Sequence, residues 1–200
     1  DMKLEPLTDY SKFKGDCERI LNSYKSEDFI TTTIRPSTVC GYARRQRLDL
    51  VVNILTNHAY HNREIKVFGG DQLRPNLHVK DYCEAVKVLI ESDSKKIENQ
   101  IFNIGYQNLS ILEIANLVKK VVEKEFPEKG KINIVREKSD DNRSYHINSD
   151  KIKKLLNYSP KRTIENAVED LCFAFKKGLL ENSFEDDIYF NINRMKNINK

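Results

Sequence analysis

Leu48, Val51, Val52 and Leu55 fall at i, i+3, i+4 and i+7, the spacing that gathers apolar side chains on one face of a helix. A second helix is expected from about 7 to 25, with Tyr10, Lys14, Cys17, Glu18 and Leu21 at helical spacing. Between them the β-branched run FITTTI, Phe29 to Ile34, has the character of a buried strand, and RPSTVCGYARRQR then forces irregular backbone through its proline and glycine. Ile65 to Phe68 is a short strand closed by Gly69-Gly70. Asp81 with Glu84 signals a helix start, continued by Ala85, Val88, Leu89 and Ile90. QIFNIG is another buried strand, and Ser110 with Glu113 makes a capping box ahead of ILEIANLVKKVV. Lys131 to Val135 alternates as a half-exposed strand, SYHIN is extended, Asp150 to Leu156 is helical, and Thr163 caps a long helix through Leu180. Glu181 to Lys200, rich in Asn, Asp and Lys, is expected to be a mobile or loosely docked tail.

Strands alternating with helices argue for an α/β protein with a parallel sheet. Composition agrees: 200 residues with 39% hydrophobic positions can build a core, and five prolines and seven glycines are too few for a linker-dominated chain. No apolar run approaches the roughly 18 residues of a membrane span. The four cysteines, Cys17, Cys40, Cys83 and Cys172, form no Cys-x-x-Cys, so neither a zinc knuckle nor a disulfide framework is readable; buried or semi-buried thiols in a reducing, cytoplasmic compartment are expected. His58 and His61 have no acidic or thiol partner at ligand spacing, so a solvated helix face is expected there and no metal. The formal charge of +4 is dispersed and suits anionic small ligands as well as nucleic acid. The arginines of YARRQR crowd one loop without a recognition helix or stacking aromatics, which argues against nucleic acid.

Tyr10 and Lys14 lie four apart on one helical face, where a phenol and an ammonium can converge on one ligand. A free phenol titrates near ~10, and a cation at about 4 Å and an effective dielectric near 20 contributes roughly 4 kcal/mol toward the phenolate, enough to make such a pair a general acid/base. With nine tyrosines and many lysines, about one Tyr-x-x-x-Lys arises by chance, so its meaning rests on the motifs C-terminal to it. These are a strand ending in RPSTVCG, then VFGGDQLRPNLHVKD, FNIG with a capped helix, and DDNRSYHINSDKI. In this order the chain resembles, from Leu4 to about Leu180, the extended short-chain dehydrogenase/reductase family, especially its nucleotide-sugar epimerases, dehydratases and reductases.

The resemblance implies the C-terminal portion of a Rossmann-type parallel sheet (1–43 and 76–106), an interleaved smaller α/β substrate-binding subdomain (44–75 and 107–182) and a polar tail (183–200). It implies NAD or NADP as cofactor and a nucleotide-diphosphate sugar as substrate. Tyr10 would take a proton from a sugar hydroxyl as hydride leaves for the nicotinamide, and Lys14 would also hold the nicotinamide ribose. Pro36, Ser37 and Val39 are the candidate cofactor contacts, and Thr38 stands where many relatives carry a substrate-binding asparagine. Arg74, in GGDQLR, and Arg143, in DNR, match the family's diphosphate-binding arginines, whose planar, permanently charged forks suit paired phosphate oxygens. Arg47 and Asn53 are further substrate candidates, and Val67 with Phe68 would give the base apolar contact. His78 and His146 are expected to be structural, with His146 near the nucleotide as the alternative. A homodimer through the first helix is also implied.

The departures matter. Cys40 stands where many relatives have tyrosine, Tyr42 follows Gly41 where proline is frequent, and Pro75 follows Arg74 where many have aspartate. No G-x-G-x-x-G or G-x-x-G-x-x-G occurs, and the Ser or Thr that orients the substrate hydroxyl would lie upstream of Tyr10. The chain is therefore expected to be a piece of a longer enzyme, inactive alone, with a stand-alone sugar-nucleotide-binding module as the alternative.

Overall fold

In the computed structural model, residues 5–6, 8–139 and 143–198 are described. The opening residues 1–4 and the Asp141-Asn142 pair ahead of Arg143 lie outside them. Eight α-helices and seven strands alternate among the described residues: α1 (Asp9–Ser23), β1 (Thr32–Pro36), β2 (Thr38–Cys40), α2 (Val51–His61), β3 (Glu64–Phe68), β4 (Leu73–His78), α3 (Val79–Glu91), α4 (Ser94–Ile97), β5 (Gln100–Ile104), β6 (Gln107–Ser110), α5 (Ile111–Glu125), β7 (Asn133–Glu137), α6 (Asp150–Leu156), α7 (Ile164–Lys176) and α8 (Asn191–Ile198). Three of the helices open on a Ser or Thr capping box: Thr8 with Ser11, Ser110 with Glu113, and Thr163 with Asn166.

The strands form three small sheets. β1 pairs in parallel with β5, Thr32 opposite Gln100 through Pro36 opposite Ile104. β4 sits between parallel β2 and antiparallel β6, with Asn76 opposite both Thr38 and Gln107. β3 pairs in parallel with β7. The α/β class and parallel pairing agree with the sequence reading; β2 lies within the segment read as the end of a strand, as a separate strand from β1, whereas that reading places no strand at β4 or β6. β4 carries a proline, normally a sign against a central strand. Pro75 is tolerated because it lies one residue before the β2 ladder begins at Asn76, so only β6 flanks it.

Two apolar clusters organise the described residues. The larger joins α2, β3, α5 and α7, with Val52, Ile65, Val118 and Leu171 fully buried. The smaller gathers Leu77, Leu89, Phe102, Ile104, Ile152 and Tyr158 around β5. Helix α6 thus packs with the β1–β5 side, although the sequence assigned its residues to the substrate subdomain. Burying Asp81 staples this seam: its carboxylate accepts the backbone N–H groups of Lys161 (2.9 Å) and Arg162 (2.7 Å) and pairs with the Arg162 guanidinium, while the Tyr158 hydroxyl donates to its carbonyl (2.6 Å). Asp81 therefore does not start a helix. α3 begins at Val79, where the His78 ring accepts the Lys80 N–H.

The segment after α7, expected to be a mobile or loosely docked tail, is docked. Leu180, Ser183 and Tyr189 are buried against the larger cluster. The Ser183 hydroxyl donates to Asn57 Oδ1 (2.7 Å) and lies 3.1 Å from His61 Nε2, and Phe184 packs against the rings of His58 and His61. The two histidines face this segment, not solvent alone. Cys17 and Cys83 are exposed, while Cys40 and Cys172 are buried, their thiols pushed up to about 12 mainly by desolvation.

Candidate active site

The β1–β2 junction, the carboxyl end of β5 and the start of β4 carry several of the predicted residues. Where β1 passes into β2, Pro36 is exposed, Ser37 is buried, and Thr38 and Val39 are half-buried. The Ser37 N–H donates to the Ile104 carbonyl (2.8 Å), yet its Oγ is buried with no hydrogen-bond partner. A buried unpaired hydroxyl is costly, so Ser37 has capacity for a ligand or a water. Across from it, Gly105 leaves no room for a side chain: a Cβ there would stand 2.8 Å from Ile147 Cγ2 and 3.1 Å from Ser37 Oγ. The 143–149 segment is strapped over this point by a pair of Ser149–Gly105 bonds (both 2.8 Å) and by the Asn108 amide on Ile147 (2.8 and 3.1 Å).

Arg74 and Arg143 meet here. The Arg74 guanidinium donates to the Arg143 carbonyl and lies over the Tyr145 ring, and the Leu73 N–H donates to Ser144 Oγ (3.0 Å). His146 beside them is exposed, whereas His78 is buried, its imidazole pKa lowered chiefly by burial.

Arg47 occupies the loop after β2, and Asn53 lies in the first turn of α2. Asn53 is buried with its amide engaged at both ends, accepting the Gly41 N–H (3.0 Å) and donating to the Arg47 carbonyl (2.8 Å). It is thus a brace of the loop in this structure, not the ligand contact expected from the sequence. Arg47 remains partly exposed, its Nε and Nη2 on Asp49 at 2.9 and 3.1 Å. Val67 needs a correction: it is fully buried in the larger cluster, because the alternation of β3 turns Ile65 and Val67 inward and Lys66 and Phe68 outward. Phe68, half exposed, is the residue of that pair able to touch a ligand.

Tyr10 and Lys14 stand apart from this cluster in character. α1 buries none of its residues, Tyr10 is 74% exposed and Lys14 is exposed. The helix is tied to β1 by Glu18, whose carboxylate takes Arg35 Nε (2.9 Å) and Nη2 (2.6 Å). Both side chains face solvent, where the high dielectric strongly screens charges from one another.

A family model described as the NAD-dependent epimerase/dehydratase family matches residues 1–105, just over half of the 200. The chain belongs to this family. Dehydratase relatives agree. The dTDP-glucose 4,6-dehydratase of Shigella flexneri is 24% identical over 171 residues, covering 82% of this chain and 46% of that protein, and its Escherichia coli K12 counterpart is 23% identical with the same coverage. Among solved structures, Bacillus anthracis dTDP-glucose 4,6-dehydratase in complex with NAD superposes at a TM-score of 0.72, with 24% identity, over 88% of this chain and 55% of that one. Bacillus cereus UDP-glucuronic acid 4-epimerase in complex with UDP-glucuronic acid and NAD gives 0.74, with the same identity and coverage. The chain therefore has the Rossmann-type fold of those proteins and spans about half the length of the curated relatives it matches. None of its described helices is long and apolar enough to cross a membrane.

Proposed function

We propose that this chain is the part of an NAD(P)-dependent nucleotide-sugar epimerase/dehydratase that holds the sugar nucleotide and the nicotinamide end of the cofactor. The observation that carries the reading is the meeting of Arg74 with the Arg143 segment at the strand ends, within a chain whose family acts as NAD-dependent epimerases and dehydratases. The Arg74 guanidinium at this point suits a diphosphate, since it can offer paired donors to its oxygens, and Arg143 would add a second guanidinium. Thr38 borders this site, and Arg47 would reach the substrate from the loop after β2.

The residues at the β1–β2 junction fit a nicotinamide end: Pro36 exposed, Val39 half-buried, and Ser37 with an unpartnered buried hydroxyl beside the Gly105 cradle. The bound nicotinamide would supply a hydride acceptor and donor. Tyr10 would take the proton from the sugar hydroxyl, and Lys14 would favour the phenolate. No glycine-rich phosphate loop occurs in the 200 residues, so none of them is given a contact with the cofactor pyrophosphate. The exposed apolar face of α1, with Phe13 and Ile20, suits a homodimer contact and would supply the cover that Tyr10 and Lys14 lack. Thiols without disulfides suit the cytoplasm. A non-catalytic sugar-nucleotide-binding role is the second reading, favoured by the exposure of Tyr10.

Thermal-shift titration of the full-length protein against UDP-, GDP-, CDP- and dTDP-sugars tests this. At least one should raise the melting temperature, and Arg74→Ala with Arg143→Ala should erase that response. If no sugar nucleotide stabilises the protein, the assignment falls.

A further inference from the structure

The segment after α7 returns to the loop that carries Arg47 and grips it at three residues. The Leu48 N–H donates to the Tyr189 carbonyl (3.0 Å). Arg45 Nη1 donates to the Ile188 carbonyl (3.0 Å) and Nη2 to Asn191 Oδ1 (2.8 Å). Asp49 Oδ2 accepts the Asn191 N–H (3.2 Å) while the same carboxylate holds Arg47 through both oxygens. From the opposite side Asn53 fixes the Arg47 carbonyl to the end of β2. Leu48 is fully buried between these anchors, so the loop cannot drift without giving up packing as well.

A guanidinium carries five N–H donors in a rigid plane. Asp49 takes two of them, on Nε and Nη2, and so fixes the plane, leaving the Nη1 edge for an incoming ligand. A flexible arginine must lose rotamer freedom when it binds an anion, and one already held by a bidentate carboxylate has lost it beforehand. The carboxylate in turn is fixed only if something holds it, and that is the backbone of Asn191.

We propose that the hook from Ile188 to Asn191 is a positioning element for nucleotide-diphosphate binding, acting through Asp49 on Arg47. The proposal rests on the nucleotide-sugar reading above and extends it to residues outside the strand-end cluster. Asp49, Arg45 and Asn191 are positioning residues; none of them needs to touch the ligand.

Asn191→Pro is the sharp test. Asn191 is the first residue of α8, where proline is well accommodated, and Phe190 before it has the extended backbone (φ −127°, ψ 99°) that proline favours in its predecessor. The substitution deletes both the N–H to Asp49 and the side-chain acceptor of Arg45. In the full-length protein, hydrogen exchange across residues 43–50 should accelerate, and calorimetric affinity for UDP and dTDP should fall about three- to tenfold, the size of one lost hydrogen bond. In an Arg47→Ala background the same substitution should change the affinity no further, a result that a merely structural role would not give. Arg45→Ala, which breaks the grip from the other side, should repeat the pattern if Asn191→Pro fails to fold. Unchanged exchange in both variants overturns the brace. Faster exchange with an equal affinity loss in the Arg47→Ala background overturns its action through Arg47. If the wild-type protein binds neither diphosphate, the nucleotide-sugar reading itself fails and takes the ligand half of the proposal with it, while exchange still decides the brace.

Discussion

The two sides of the molecule are built to different standards of completeness. Around α2, α5 and α7, apolar side chains close on one another from every direction, and the segment after α7 seals the remaining flank with Leu180 and Tyr189. Around β1 and β5 the sheet has two strands, the apolar cluster is small, and α1 lies outside it with Tyr10, Phe13, Ile20 and Tyr24 exposed. Beside that helix, Cys17, Ile20, Leu21, Tyr24 and Phe29 line an open apolar groove. The loop that presents Arg47 lies on the first side, held by the segment after α7, whereas α1 with Tyr10 and Lys14 lies on the second. On the proposed reading, the Tyr10–Lys14 pair would need a second surface to exclude water before it could move a proton.

The largest test of this contrast compares one substitution on each side. Leu171→Ala, in the middle of α7 and fully buried, should lower the unfolding free energy by about 2–5 kcal/mol in urea titrations, through lost burial and the cavity left behind. Phe13→Ser on α1 should change it by no more than about 0.5 kcal/mol, because the ring is 67% exposed. A large Phe13→Ser effect would mean that a surface covers α1 in the protein as studied, and its dependence on protein concentration would tell a second copy from a fold within the chain.

A smaller effect should appear with pH. Burial lowers the His58 and His61 pKa values, reinforced at His58 by Lys66 and at His61 by Lys129 and His58 itself. Both rings are therefore harder to protonate in the folded state than in the unfolded one, where histidine titrates near ~6.5. Their contribution is present above that pH and is lost as pH falls through the lower folded values. Because both rings pack on Phe184 and one touches Ser183, the 181–190 segment should loosen first. Hydrogen exchange there should accelerate between pH 7 and pH 5 relative to α5, and His58→Gln with His61→Gln should flatten the difference. Equal acceleration in α5 would show that acid acts on the whole fold.

How much of this was legible beforehand depends on which interactions leave a local mark. Helical periodicity and capping boxes are local, and the helices opening after Thr163 and Ser110 stand where their signals lie. The short strands β2, β4 and β6 depend on partners distant in sequence, and Pro75 gave a local signal against one of them. The docked C-terminal segment was hidden for the same reason. Its polar composition suggests a solvated tail, but Ser183, Tyr189 and Asn191 find partners in α2 and the loop after β2 that no local pattern reveals. At the site, the arginine motifs were readable as motifs. The inward turn of Val67 accords with strand alternation beside the readable Ile65, and could have been inferred from that period alone.

The finest test concerns one oxygen atom. Ser37 Oγ is buried and unpartnered, so Ser37→Ala removes a desolvated polar atom without breaking any bond, and the stability of the protein should change by less than about 0.5 kcal/mol or rise slightly. If that hydroxyl is held in reserve for the cofactor, the same substitution should weaken NAD binding to the full-length protein about three- to tenfold, the equivalent of one hydrogen bond. Stability and affinity would then move independently, a separation that packing cannot mimic, since the backbone N–H of residue 37 still reaches Ile104 and Gly105 still closes against Ile147. An affinity unchanged by Ser37→Ala would assign the hydroxyl to a buried water, and the nicotinamide end would have to be sought at Pro36 and Val39 instead.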